Sequence, residues 1–248
     1  MLNRKTKNDM ENYNAFVAKF NNPNHKMTSD DCYTPDGVYN AIRQWVFTRL
    51  NIPLDTFVVR PFYPNGDYTN EIYPKDCLVL DNPPFSILAQ IIQYYCDHNI
   101  KFFLFAPEQT LLSSSYNCKL GYVIARTKIK YHNGVNIATA FVTNLFVDKI
   151  IVSRDLRDAI DTTQNVGKRR PERIRAKKSK YLWSSARFLI DEDGDYEVNF
   201  LERNRFRKDC FGGGVRVDEA AANKLIEIRK KRGIYEIYRE DDEQCNNT

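Results

Sequence analysis

Cys77-Leu78-Val79-Leu80-Asp81-Asn82-Pro83-Pro84-Phe85-Ser86-Ile87-Leu88 decides the fold. Its apolar opening reads as a short strand buried on both faces, as the strands of a parallel sheet are. Pro83 and Pro84 carry no backbone N–H donor and cannot continue a central strand. Ser86 is placed to cap a following helix, on which Ile87, Leu88, Ile91, Ile92 and Tyr95 share a face. A strand running through a stiff corner into an amphipathic helix is half of a βαβ unit.

The flanks extend this pattern. Asp97-His98-Asn99 stops the helix, and residues 101–105 form another buried strand, ended by Ala106-Pro107. Upstream, residues 56–59 are a β-branched and aromatic run. The stretch Arg60-Pro61-Phe62-Tyr63-Pro64-Asn65-Gly66-Asp67 holds two prolines and an Asn-Gly, so it is a loop. Tyr33-Thr34-Pro35-Asp36-Gly37 reads as a turn into a helix carrying Val38, Ile42, Trp45, Val46 and Leu50, which Asn51-Ile52-Pro53 ends. Past residue 120 two strand-like runs, 122–131 and 137–147, flank His132-Asn133-Gly134, a hairpin signal. The expected fold is α/β, with a mostly parallel sheet, an antiparallel hairpin at its edge and a small C-terminal α+β extension.

The chain divides accordingly. Residues 1–30 are an Asn- and Lys-rich arm with one amphipathic stretch at 13–20. Residues 31–160 are the core and 161–180 a basic linker. Residues 181–238 are the extension, with a strand-like run at 181–190, an acidic turn at 191–195, a turn at Phe211-Gly212-Gly213-Gly214-Val215 and a helix over 218–232. Residues 239–248 are a polar tail expected to be disordered. No internal repeat is present.

Bulk properties narrow the function classes. The 248 residues include 15 Tyr and 15 Phe, enough for an ordinary core. A net charge of +5 permits a polyanionic partner without demanding one. Cys32, Cys77, Cys96, Cys118, Cys210 and Cys245 form no zinc-ligand spacing, so no metal is expected and reduced thiols are. His25, His98 and His132 have no nucleophile or metal partner at useful spacing. The polar start Met1-Leu2-Asn3-Arg4-Lys5 is not a secretory leader, and no apolar run approaches the ~20 residues of a membrane span. A cytoplasmic protein is the expectation.

The corner after the strand suggests a chemistry. An amine conjugated with an aromatic ring is a poor nucleophile. Two fixed acceptors that bind its hydrogens draw the nitrogen toward tetrahedral geometry and free its lone pair. The Asn82 amide oxygen and the Pro83 carbonyl supply such acceptors, the prolines hold them in place, and Phe85 supplies a ring on which a base can stack. Asn82-Pro83-Pro84-Phe85 resembles the [Asn/Asp]-Pro-Pro-[Tyr/Phe] motif of amino-group DNA methyltransferases. Over about residues 30–150 the chain is similar to short, phage-type adenine DNA methyltransferases, through Tyr33-Thr34-Pro35, Arg60-Pro61-Phe62-Tyr63, residues 81–86 and Phe102-Phe103-Leu104-Phe105-Ala106-Pro107. The resemblance implies a Rossmann-like class I methyltransferase core, S-adenosylmethionine as methyl donor, and DNA as partner with its adenine flipped out of the duplex. It also implies a phage or restriction-modification setting.

The resemblance assigns catalysis to Asn82, Pro83 and Phe85. It assigns cofactor contacts to Tyr33, Thr34, Pro35, Pro61, Phe62 and Gly66, with Asp67 the best substitute for an acidic ribose ligand. Asp81 either faces the cofactor or caps its strand. The family's cofactor loop usually reads Asp-Pro-Phe-x-Gly-x-Gly; here Arg60 replaces the acid, the double glycine is missing, and the usual second strand is absent. Basic residues at Arg126, Lys128 and Lys130 along one strand, and at Lys168, Arg169, Arg170, Arg173, Arg175, Lys177, Lys178 and Lys180 in the linker, are candidate phosphate contacts. Two other readings stand beside DNA adenine methylation. One is methyl transfer to RNA or a protein glutamine; the other is a non-catalytic nucleic-acid-binding protein on a degenerate methyltransferase scaffold.

Overall fold

A computed structural model describes residues 33–62, 67–112, 118–166, 181–183, 196–205 and 213–218, with single helical positions between 220 and 227. The N-terminal arm, Tyr63 to Gly66, the cationic cluster from Lys168 to Lys180, the acidic turn, Phe211, Gly212 and the C-terminal tail lie outside the described residues.

The chain order is α1 (Asp36–Arg49), β1 (Val58–Val59), β2 (Leu78–Asp81), a 3-10 turn (Phe85–Ile87), α2 (Leu88–Asp97), β3 (Lys101–Pro107), a second 3-10 turn (Glu108–Thr110), β4 (Gly121–Lys130), β5 (Asn136–Thr143), β6 (Lys149–Val152), α3 (Arg154–Thr163), β7 (Tyr181–Trp183), β8 (Tyr196–Arg205) and β9 (Gly213–Val217). The strands form one mixed sheet in the order β1-β2-β3-β5-β4-β6-β8-β9-β7. β1, β2 and β3 are parallel, and β5 is antiparallel to both β3 and β4, while β6 is parallel to β4. Five core strands therefore run one way and β5 alone runs against them. The architecture is α/β and compatible with a Rossmann-like fold.

Alternating side chains divide between two apolar layers. Val79, Phe102, Leu104, Tyr122, Ile124 and Val142 face α2. Leu78, Leu80, Phe103, Phe105, Val123 and Phe141 face α1 and α3. Burial on both faces explains why β2 and β3 read as continuous apolar runs.

The helices α1, α2 and α3 stop by the same device. Asn51, Asn99 and Asn165 adopt left-handed φ values of 51°, 55° and 54°. The following Ile52, Ile100 and Val166 N–H groups donate back to Phe47, Tyr95 and Asp161 carbonyls at 3.0, 2.9 and 3.0 Å. This is the Schellman closure, with Asn tolerating the left-handed position.

The hairpin forms where Asn133-Gly134 places it. Gly134 has φ +83°, and Tyr131 N–H donates to Val135 O at 3.0 Å. Its position differs from the expected edge. β6 adds beyond β4, so the hairpin lies inside the sheet, and β8 continues from β6 into the extension. Asn144 to Asp148 breaks the run expected as one strand, and β6 and α3 follow it. Gly121 faces Phe146 of this turn so closely that a Cβ there would overlap the ring. Residues 161–163 are the last turn of α3 rather than linker. Ser86 lies inside the 3-10 turn rather than at the N-cap of α2, which starts without a side-chain cap. Gly213 and Gly214 open β9 instead of forming a turn. Asp218 caps the expected C-terminal helix, accepting from Ala221 N–H at 2.7 Å.

Cys96, at the end of α2, and Cys118, before β4, are joined as a disulfide with Cα atoms 6.4 Å apart, which corrects the expectation of reduced thiols at this pair. Cys77 is buried and free. Among the described residues no helix is long and apolar enough to cross a membrane.

Candidate active site

The carboxyl ends of β1, β2, β3, β4 and β6 open on one edge of the sheet, where α/β folds carry their sites. Arg60-Pro61-Phe62 follows β1, Asn82 to Phe85 follow β2, Glu108 follows β3, and Tyr131 and His132 follow β4. The N-terminal turn joins them, because His132 N–H donates to Tyr33 O at 3.1 Å.

At the corner, Pro83 and Pro84 are buried while Asn82 and Phe85 are half-buried. Ile87 N–H donates to Pro84 O at 3.3 Å, so the second proline's carbonyl closes the turn. Asn82 Oδ1 lies 3.4 Å from the Tyr131 hydroxyl. Phe85 forms one wall of a recess of about 170 Å³, completed by Ala89 of α2, by Pro107 at the end of β3 and by Thr110 and Leu111 beyond it.

Asp81 is 4% exposed and braces the loop after β1. Its Oδ2 accepts from Phe62 N–H at 3.0 Å, and its Oδ1 lies 3.4 Å from Arg60 Nε. Burial raises the Asp81 pKa against the opposing pull of Arg60 and of the Phe62 and Asn82 N–H groups. The Arg60 guanidinium also lies 3.8 Å from the centroid of the Tyr39 ring. Tyr39 in turn donates to Leu80 O at 3.0 Å, and its burial lifts its pKa to about 12. Arg60 thus couples α1 to the β2 corner.

The segment between β1 and β2 contains no further strand among its described residues. An aromatic cluster anchors it instead. Tyr68 packs edge-on against Tyr94 of α2 at 5.3 Å, and the Tyr73 hydroxyl donates to Tyr68 O at 2.7 Å. The sequence signal was there, in tyrosines at 68, 73, 94 and 95, but pairing loop rings with helix rings needs the fold.

Asp67, the expected ribose ligand, is engaged locally. It accepts from Thr69 N–H and hydroxyl at 2.9 and 2.6 Å and from Asn70 Nδ2 at 2.6 Å. A ribose hydroxyl would compete with these three donors. Pro61 is buried and Phe62 half-buried, while Gly66 lies outside the described residues.

Thr34 is the better-placed cofactor candidate. It is 7% exposed, and its hydroxyl is buried with no partner among the described residues. An orphaned hydroxyl there fits a polar ligand such as an amino-acid end. Tyr33 is 44% exposed beside it, and Pro35 precedes α1.

Of the candidate phosphate contacts, Arg126 is half-buried at an irregularity of β4 with φ 50°, and Lys128 and Lys130 are exposed. Lys168, Arg169, Arg170, Arg173, Arg175, Lys177, Lys178 and Lys180 lie outside the described residues. Among those described, no group of three or more His, Cys, Asp or Glu side chains could hold a metal ion.

No protein-family model, no curated protein and no solved structure matches the chain.

Proposed function

We propose that the chain is an S-adenosylmethionine-dependent methyltransferase acting on the exocyclic N6 amine of adenine in DNA, on a Rossmann-like class I core. The observation that carries this reading is the corner itself. Asn82-Pro83-Pro84-Phe85 follows a buried strand at the carboxyl edge, its prolines are buried, its polar and aromatic members are half-buried, and Phe85 lines a recess.

When bound, the donor supplies an electrophilic methyl group on a sulfonium. The protein's part is orientation. Asn82 and the Pro83 carbonyl accept the amine hydrogens, so that the nitrogen lone pair is directed at the methyl carbon. Phe85 offers a face for the unstacked base. Thr34 is suited to the amino-acid end of the donor, and Lys128 and Lys130 to the phosphates of the duplex. The amine proton leaves to water, and no side chain with a shifted pKa is required for that step.

A non-catalytic nucleic-acid-binding scaffold is the second reading. The engaged Asp67 and the Arg60–Asp81 pair in the loop after β1 favour it. Incubation with labelled S-adenosylmethionine and, separately, DNA, RNA and protein extract separates the two. Label in DNA adenine that is lost in Asn82→Ala supports the first reading. Label in RNA or in protein glutamine redirects it to those substrates. No label, with DNA binding retained, supports the second.

A further inference from the structure

β3 and β4 run parallel, each antiparallel to the β5 that lies between them. The chain leaving β3 at Pro107 must therefore cross the sheet before β4 starts at Gly121. Such a crossover is commonly a helix that buries an apolar face. Among its described residues this one holds a 3-10 turn, Glu108–Thr110, and no helix. Leu111, Leu112 and Leu120 anchor it, at 4%, 1% and 2% exposure. Its Thr110 and Leu111 also form a wall of the recess beside Phe85.

Cys118 adds a covalent anchor. Its bond to Cys96, 22 residues earlier, closes a ring that contains the whole of β3 and this wall. Both cysteines are held by other contacts. Cys96 lies in the last turn of α2 next to Tyr95, which is fully buried. Cys118 precedes Leu120, whose carbonyl accepts from Asp148 N–H at 3.0 Å. The two Cα atoms stand 6.4 Å apart, within the range a disulfide spans without backbone movement. With the bond open, the two thiols therefore remain neighbours. Both residues are half-buried, so small thiols and disulfides can reach them, whereas the free Cys77 is 4% exposed.

We propose that Cys96 and Cys118 are a reversible modification site, at which a low-molecular-weight disulfide closes the bond and the corresponding thiol opens it, and that the closed bond fastens the crossover and its recess wall to α2. The step is a thiol–disulfide exchange. A thiolate of the pair attacks one sulfur of the external disulfide and releases one thiol; the other cysteine then attacks the mixed disulfide and releases the second. The pair gives up two electrons and two protons, which leave with the two released thiols. The second attack joins neighbours already in place, so it is far faster than a second encounter from solution. Opening the bond leaves the three leucines to hold the crossover. The fold persists, and local opening of this segment becomes more frequent. None of this depends on what the recess binds.

The full chain is incubated with glutathione disulfide or with reduced glutathione, quenched, alkylated and mapped by mass spectrometry, and amide hydrogen exchange is followed in both forms. Glutathione disulfide is expected to link Cys96 directly to Cys118, and reduced glutathione to return both as free thiols, with Cys77 free throughout. Exchange at Leu111, Leu112 and Leu120 is expected to be about tenfold faster in the opened form. Exchange in α1, on the opposite face of the sheet, is expected to be equal in the two. Cys96→Ser should exchange like the opened form under both treatments, and the opened unmodified chain supplies the same comparison if that variant does not fold. Cysteines that stay unlinked in glutathione disulfide overturn the proposal. So does a bond that reduced glutathione leaves closed in the folded chain, which marks a permanent staple. A reversible bond whose state leaves exchange at the three leucines unchanged overturns it as well.

Discussion

The main-chain N–H of Phe62 donates to Oδ2 of Asp81 at 3.0 Å, so the loop after β1 hangs on the last residue of β2. Arg60 adds a second hold on the same carboxylate. Asp81→Asn keeps an acceptor for Phe62 but removes the buried charge. Because burial raises the Asp81 pKa, the folded state takes up a proton more readily than the unfolded one. The stability contribution of that uptake is fully present below the unfolded value of 3.8 and is lost as pH rises through the folded value. Relative to Asp81→Asn, the unmodified chain is therefore expected to gain stability as the solution is acidified from neutrality. Urea unfolding of both proteins across pH measures the gap; a constant gap, or a drift the other way, refutes the assignment.

A second carboxylate carries the opposite sign. Glu197 of β8 lies 2.8 Å from Lys149 Nζ of β6 and 2.6 Å from Arg49 Nη2 at the end of α1. Its pKa is lowered, first by the Lys149 hydrogen bond and then by the charges of Lys149 and Arg49 against the opposing effect of burial. The stabilisation is present above the unfolded value of 4.5 and is lost as pH falls through the lower folded value. Glu197→Gln should cost below about 1 kcal/mol at neutral pH, since all three side chains are partly solvated. The cost should vanish in acid and shrink with added salt. Thermal unfolding at two pH values and two ionic strengths checks it, and a cost that persists in acid would remove the charge argument.

Much of the core was legible because its signals are local. Leu78 to Leu80 is buried on both faces and two prolines end the run, so strand and corner follow from composition alone. Asn51 and Asn99 mark helix ends, and Asn133-Gly134 marks the hairpin. The third helix carries the same Asn165-Val166 stop, but only Leu156 and Ile160 are buried apolar residues along its ten positions, too sparse a pattern for periodicity to reveal. The hairpin's place inside the sheet depends on β6. That strand was hidden because apolar Leu145, Phe146 and Val147 fill the turn before it, and Phe146 is accommodated only because position 121 is glycine. The site divides in the same way. Asn82, Pro83 and Phe85 stand next to one another in the chain and could be named together. Tyr131 and Tyr39 reach the corner through strand pairing and helix packing, over separations of 49 residues from Asn82 and 41 from Leu80 that no local pattern records.

Thr34 offers a prediction in which stability and ligand affinity move in opposite directions. Its hydroxyl is buried without a partner among the described residues, and an unsatisfied buried hydroxyl costs about 1–3 kcal/mol. Valine has nearly the same shape and no polar atom. If the hydroxyl serves only the fold, Thr34→Val should alter stability and nothing else. If it serves a ligand, the substitution relieves the free protein of an unpaired polar group and deprives the complex of a hydrogen bond. The expected outcome is a free protein at least as stable as the unmodified chain, by urea unfolding, with affinity for S-adenosylhomocysteine reduced about tenfold by calorimetric titration. Unchanged affinity would remove Thr34 from the cofactor contacts. A marked loss of stability would show that the hydroxyl has a partner in the folded protein, and the argument from its burial would fall with it.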